Sequence, residues 1–179
     1  YSGTAGIVTV MFLLRKYMGF EHFITKLHFD NLGKLLLVLS LIWTYINVLE
    51  LFTGWYSGTS TEYEQLKYKL FGYYAPLYWE MILFCAAAPL LLISKKFRTS
   101  FVPMLILSIA INIGMYTERF LIIATTLSRQ YLPETWRVYV PSLVELSILV
   151  GSVAMFTTLF LIFVKIFPSV SIYEVKETM

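Results

Sequence analysis

The feature that most constrains the fold of this chain is a set of four long apolar stretches within its 179 residues. A helix needs about 20 mostly apolar residues to cross the hydrocarbon core of a bilayer. The stretches that meet this requirement are Leu32–Thr53, Pro76–Ser94, Phe101–Leu127 and Pro141–Phe167. Composition agrees, because 58% of the residues are hydrophobic and 14% are charged, against about 45–50% and about 25% in soluble domains. The sequence therefore predicts an all-α membrane protein with a four-transmembrane-helix bundle over residues 32–167.

Proline marks the limits of the predicted helices. Pro76, Pro103 and Pro141 fall at helix starts, where a missing backbone N–H costs nothing. Pro89 lies inside the second span and should kink it. Pro168 should end the fourth span.

Two shorter segments are predicted to precede the bundle. Residues 1–17 have the pattern of a partial transmembrane helix, because an apolar run stops at Arg15 and Lys16. We therefore expect the chain to be the C-terminal part of a longer protein. Residues 18–31 mix polar and apolar side chains, and we expect a surface amphipathic segment there. The apolar face of that segment consists of Phe20, Phe23, Ile24 and Leu27.

Lysine and arginine are shared unequally between the two sets of loops, and this predicts the orientation of the helices. One side carries nine of the 14 basic residues, the other side carries four, and Arg119 lies within a span. The nine are Arg15, Lys16, Lys26, Lys34, Lys95, Lys96, Arg98, Lys165 and Lys176, and the four are Lys67, Lys69, Arg129 and Arg137. The richer side should be cytoplasmic. The tail at residues 168–179 then lies in the cytoplasm, and loops 54–75 and 128–140, which are rich in Tyr and Trp, face outward.

Five ionisable residues lie within the predicted spans. They are Glu50, Glu80, Glu118, Arg119 and Glu145. An ionised side chain at the centre of a bilayer costs about 2.5–3.5 kcal/mol on insertion scales, so such residues are usually functional or paired. With the orientation above, all five fall in the outer half of the membrane. We expect one polar cluster that faces the interior of the bundle.

Helical spacing indicates which polar side chains share a face. Two sets step by three or four residues: Ser40, Trp43, Asn47 and Glu50 on the first span, and Asn112, Tyr116 and Arg119 on the third. The neighbours Glu118 and Arg119 point about 100° apart, so Arg119 should pair with Glu50, Glu80 or Glu145 on another helix. Four carboxyl groups then meet one guanidinium, and at least one Glu should be protonated near neutral pH. Such groups suit proton transfer, although an Arg–Glu pair can equally serve only to pack helices.

Several kinds of site are not indicated by the sequence. The two histidines, His22 and His28, lie in the surface segment and not in a span, so we expect no haem, and Cys85 is alone. We therefore predict that the chain binds no metal and has no redox centre. The net charge of +3 is not concentrated in a basic and aromatic patch, so nucleic acid is not an expected partner.

Several stretches of the chain resemble the NrfD-like family, the membrane subunits of polysulfide reductase and its relatives. These are His28–Leu37, the Glu-Arg-Phe run within Met115–Phe120, Pro141–Glu145 and Lys165–Glu174. Phe71–Trp79 and Tyr131–Tyr139 look closest to the NrfD-like subunits of alternative complex III. That complex oxidises quinol in bacteria that lack the cytochrome bc complex.

The resemblance implies a function in respiration. Such subunits bind quinol, with menaquinol as the expected substrate, on the outer side of the bacterial inner membrane. The electrons pass to an iron–sulfur subunit, with a cytochrome c subunit and a second NrfD-like subunit as further partners. Relatives contain two four-helix bundles, and their quinone pocket lies mainly in the first, whereas this chain corresponds to the second. Glu118, Arg119 and their neighbours would then form part of a proton route or a wall near the pocket.

Two other classes of function remain open at this point. A transporter or channel bundle would also contain intramembrane Glu and Arg, and would often have a helix broken near mid-span. Pro89 and Gly114 are weak signs of such a break. A purely structural anchor for a soluble enzyme would not need a charge cluster shared by four helices.

Overall fold

A computed structural model of the protein describes residues 1–17, 24–128 and 137–166. These residues divide into two compact units, Tyr1–Val138 and Tyr139–Met179. The first unit contains α1 (Ser2–Tyr17), α2 (Lys26–Tyr56), α3 (Ser60–Phe71), α4 (Ala75–Ile82), a π-helical segment (Leu83–Ala87), a 3-10 segment (Ala88–Ile93), α5 (Lys95–Arg98) and α6 (Phe101–Ser128). The second unit contains α7 (Leu143–Ile166).

Four helices are long and apolar enough to cross a membrane. They are Lys26–Tyr56, Ala75–Ile93, Phe101–Thr126 and Leu143–Ile166. The prediction of an all-α membrane protein with four spans is therefore confirmed. The predicted limits of three spans lie within about two residues of the observed ones.

The start of α2 differs from the prediction. Residues 26–31 were expected in a surface segment, but the helix begins at Lys26 and runs into the span without a break. His28 helps to begin it, because its Nδ1 lies 3.3 Å from the backbone N–H of Thr25 and accepts a hydrogen bond from it. Asp30 is buried in the first turns, so this part of the helix is held by tertiary packing. The rest of the predicted surface segment, residues 18–23 with His22, lies outside the described residues.

The α3 helix lies within residues 54–75, which were predicted to be a loop. Its sequence carries no stripe of buried apolar side chains, and none of its residues is buried. The periodicity that reveals a packed helix is therefore missing. An ion pair from Lys69 to Glu50, at 2.8 Å, fastens α3 to the end of α2.

The second span is interrupted as its proline predicts. Pro89 has no N–H to donate to the carbonyl of Cys85, four residues earlier. The chain passes through the π-helical segment and then the 3-10 segment at this place. The hydroxyl of Tyr1 donates a hydrogen bond of 3.0 Å to the Cys85 carbonyl. Tyr1, which directly precedes α1, thus donates to a backbone carbonyl that Pro89 cannot reach with an N–H.

The core of the first unit is built around α6. Its buried apolar residues Met104, Leu107, Ile111 and Met115 recur every three or four positions, and Leu121 and Ala124 are buried further along the helix. Gly114 lies where α6 meets the π-helical segment, and a Cβ there would be 2.6 Å from the Sγ of Cys85. The absent side chain lets the two backbones approach closely.

Candidate functional site

The contact of greatest interest lies between α2 and α6. The indole Nε1 of Trp43 donates a hydrogen bond of 3.2 Å to Oε1 of Glu118. Trp43 is 8% exposed. Oε2 of Glu118 is buried and has no hydrogen-bond partner among the described residues. A buried polar atom without a partner costs free energy, so it is a place where a proton, water or ligand is expected to act.

Trp43 belongs to a polar face of α2 that is buried against the rest of the unit. Ser40 and Asn47, one turn to either side, are 1% and 6% exposed. The amide of Asn47 donates to the carbonyl of Trp43 at 3.2 Å. The structure therefore brings three of the four residues in this predicted set to the interior. The fourth, Glu50, is exposed.

The second predicted set lies on a different face of α6 from the one that packs. Tyr116 is 51% exposed, and Arg119 is also exposed. Asn112 is half-buried and donates to the carbonyl of Ser108 at 3.0 Å. Neighbouring residues on a helix diverge by about 100°, so Glu118 and Arg119 serve different surfaces.

Arg119 was predicted to pair with Glu50, Glu80 or Glu145, and in the described part of the first unit neither Glu50 nor Glu80 is its partner. Glu50 pairs with Lys69 at 2.8 Å, and no ion pair joins Arg119 to Glu80 within the described part of that unit. Lys69 lies on α3, which the sequence did not predict to be a helix. One of the three candidate carboxylates is therefore paired with Lys69.

The two remaining predicted carboxylates, Glu80 and Glu145, lie on α4 of the first unit and on α7 of the second unit. Glu80 is half-buried on α4, beside the buried Met81. Glu145 begins α7 in the second unit, where its Oε2 accepts from the backbone N–H of Ser142 at 2.7 Å. The Ser142 Oγ accepts in turn from the backbone N–H of Glu145 at 3.3 Å. This reciprocal pair is a capping box, so Glu145 has a structural role in starting the helix.

Sequence reasoning missed a buried ion pair at the other end of α2. The Nε of Arg98 donates to Asp30 at 2.8 Å, and its Nη1 donates to the carbonyls of Leu92 and Ile93 at 2.7 and 3.0 Å. Arg98 thereby satisfies the end of the 3-10 segment and ties it to α2. Asp30 also pairs with Lys34, four residues later on α2, at 2.6 Å. Arg98 is distant from Asp30 in sequence, so no spacing rule could indicate that pair.

A second polar contact that sequence reasoning missed lies between α1 and α6. The hydroxyls of Thr9 and Ser108 are 2.9 Å apart, and Ser108 is fully buried. It lies ten residues before Glu118 on α6, about 15 Å along the helix axis. Polar side chains therefore occur at several depths within this unit. Within the described residues, no group of three or more His, Cys, Asp or Glu could hold a metal ion.

The comparison with protein families decides the class of the molecule. Residues 1–129 match the family described as polysulphide reductase, NrfD. The chain belongs to the NrfD family. It is therefore an integral membrane protein and a membrane subunit of a quinone-interacting oxidoreductase, and subunits of this family typically act with iron–sulfur subunits. The NrfD match covers α1 to α6, including both partners of the Trp43–Glu118 contact. No curated protein gives a significant match.

Proposed function

We propose that this NrfD-family chain belongs to a quinol-oxidising respiratory complex related to alternative complex III, with Glu118 as a proton acceptor. Menaquinol is the proposed substrate, and the proposed partners are iron–sulfur and cytochrome c subunits, with a second NrfD-like subunit. The bacterial inner membrane is the proposed location, with the C-terminus in the cytoplasm. The observation that carries the proposal is the buried Oε2 of Glu118, which has no hydrogen-bond partner among the residues that the structure describes.

The proposed chemistry balances in electrons and protons. Oxidation of one quinol to quinone releases two electrons and two protons. The electrons pass to the iron–sulfur subunit. This chain then needs no redox centre of its own, in line with the prediction from its sequence. One of the two protons binds to the free oxygen of the Glu118 carboxylate, and the other passes to water on the outer side of the membrane. The hydrogen bond from Trp43 to the other oxygen fixes the carboxylate in place.

The polar face of α2 offers a direction for the next transfer. Asn47 lies one turn beyond Trp43, and Glu50 lies seven residues beyond it, about 10 Å along the axis. Glu50 is exposed and paired with Lys69. In the proposed orientation this end of α2 faces outward. A proton held by Glu118 would therefore leave toward Glu50, on the outer side.

The exposed stripe on α6 has a separate proposed role. Asn112, Tyr116 and Arg119 share a face, and the last two are exposed. We place this face at a wall near the quinol pocket, where the guanidinium of Arg119 can donate to a quinone oxygen. Glu145 is given no part in proton transfer, because it caps α7.

A transporter is the second candidate, since the second span is interrupted as in many transporters. At that interruption, however, the carbonyl of Cys85 is bonded to Tyr1. A substrate site would be expected to leave such a carbonyl available for an ion or solute. The interruption of the second span is therefore better explained by Pro89 and by the hydrogen bond from Tyr1 than by a transport site.

The test is the turnover of the intact complex after Glu118→Gln. The variant keeps the size of the side chain and the Trp43 contact but removes a proton acceptor. We expect quinol oxidation to fall by about a hundredfold or more, in the range found for loss of a group that transfers protons. Glu64→Gln, on α3, is the matched control and should leave turnover unchanged.

Assembly is measured in the same samples from the iron–sulfur and cytochrome c subunits that co-purify. Normal turnover of Glu118→Gln in a fully assembled complex would remove the proton-acceptor role. A complex that contains no redox subunit, together with solute flux in proteoliposomes, would favour the transporter.

A further inference from the structure

A cavity of about 520 Å³ is lined by the end of α2, the end of α6 and the helix α3. Polar residues from all three helices line it. The charged residues and the threonines among them are Glu50, Thr53, Glu62, Lys69, Thr125 and Thr126. The cavity lies outside the Trp43–Glu118 contact and shares only Glu50 and Lys69 with the proton route proposed above.

The threonines present hydrogen-bond acceptors to this cavity. Each hydroxyl has one proton, and each donates it to a carbonyl of its own helix. Thr53 donates to Leu49 at 2.8 Å, Thr125 to Leu121 at 2.7 Å, and Thr126 to Ile122 at 2.6 Å. The remaining capacity of all three oxygens is to accept.

The charged groups of the cavity also favour a ligand that donates hydrogen bonds. Glu50 and Glu62 contribute two carboxylates, and Lys69 contributes one ammonium. That ammonium already donates to Glu50 at 2.8 Å. The three groups sum to a formal charge of −1, on a wall that is rich in acceptors. The complementary ligand group is a cation with several N–H donors, which is a primary ammonium.

The surroundings of the cavity indicate where that ammonium comes from. Leu51, Leu66 and Ile122 also line it, so apolar groups meet the polar ones at this level. Nearby on α2, Phe52 stacks on Tyr56 with ring centroids 5.8 Å apart, and both rings are exposed. Exposed aromatic side chains at a helix end are typical of the membrane–water interface.

We infer that this cavity binds the headgroup of a phosphatidylethanolamine lipid, with its ammonium among the threonine oxygens and Glu62. The acyl chains lie along the apolar side chains of α2 and α6. Phosphatidylglycerol lacks the cation, and its negative charge is repelled by the carboxylates. Phosphatidylcholine has the cation but no N–H to donate. The site therefore selects one headgroup out of three.

Native mass spectrometry of the intact, delipidated complex tests this inference. The complex is titrated separately with phosphatidylethanolamine, phosphatidylcholine and phosphatidylglycerol of the same acyl chains. We expect one additional phosphatidylethanolamine at a lower concentration than either other lipid. Glu62→Gln should weaken that binding about tenfold, as for loss of one charge-assisted hydrogen bond. Glu64→Gln changes the same charge on the same helix, outside the cavity lining, and should have no effect.

Three results would overturn the inference. Equal binding of the three lipids would show a non-specific annular site. Unchanged phosphatidylethanolamine binding in Glu62→Gln would place the lipid elsewhere. Binding of free ethanolamine as tight as that of the lipid would show a site for small amines and not for lipids.

Discussion

The hydrogen bond from Trp43 to Glu118 joins two helices through side chains 75 positions apart in the sequence. The other carboxylate oxygen is buried and has no partner in the described part of the chain. Indole N–H groups and carboxylates are both costly to leave unpaired in a low-dielectric interior. The pair therefore holds Glu118 in a fixed place, while its second oxygen stays available for chemistry.

Replacing Trp43 by Phe should destabilise the protein and misplace Glu118. Both oxygens of the carboxylate then lack a partner, and we expect a loss of about 1–3 kcal/mol. The thermal midpoint of the complex in detergent measures this loss. Trp55→Phe is the control, because Trp55 is 64% exposed. Equal midpoints for both variants would mean that the Trp43 hydrogen bond contributes nothing.

The same variant separates stability from function when it is combined with Glu118→Gln. If Trp43 acts by positioning Glu118, Trp43→Phe should lower turnover in the wild-type background. It should have little further effect once Glu118 is Gln. Additive losses in the double variant would show that Trp43 acts on turnover by another route.

The contact between Tyr1 and the Cys85 carbonyl should depend on Pro89. In Tyr1→Phe that carbonyl loses its donor, and we expect a cost of about 1 kcal/mol. Pro89→Ala restores a backbone N–H that can reach the carbonyl four residues earlier. The Tyr1→Phe loss should therefore be smaller in the Pro89→Ala background.

A double-mutant cycle measured by thermal unfolding checks this dependence. Tyr17→Phe is the control, because Tyr17 is exposed at the end of α1. It should leave the stability unchanged in both backgrounds. If the Tyr1→Phe effect has the same size with Pro89 and with Ala, the hydroxyl does not compensate for the proline.

Arg98 should be essential for the junction between the second span and α2. It bonds Asp30 and two carbonyls, so Arg98→Gln removes several contacts together. We expect Arg98→Gln to lower the thermal midpoint. Lys96→Gln should leave the midpoint unchanged, since Lys96 is exposed on the same short helix, α5. Gly33→Ala should act in the same direction, because its Cβ would lie 2.9 Å from the Arg98 Cγ.

Asp30→Asn provides the internal check on this junction. If the ion pair matters, the loss caused by Arg98→Gln should be smaller when Asp30 is already Asn. An unchanged loss would assign the whole effect to the carbonyl contacts of Arg98.

The spans and the family resemblance could be predicted from the sequence because both depend on local pattern. A run of about 20 apolar residues is enough to indicate a membrane helix. The match over residues 1–129 supports the family that the motifs indicated. By contrast, α3 was missed because its residues are polar on average and none of them is buried. The functional roles of Glu118, Arg119, Glu50 and Glu80 stay predictions.

Sequence by itself determined which polar residues share a face of a helix, because that depends only on spacing. It could not determine which face packs inward. Lipid tails are as apolar as a protein core, so hydrophobicity does not separate the two sides of a membrane helix. Only the tertiary structure determined that Glu118 contacts Trp43, that Arg119 is exposed and that Glu50 pairs with Lys69. Those choices follow from how whole helices pack, and that packing depends on contacts between residues far apart in the chain.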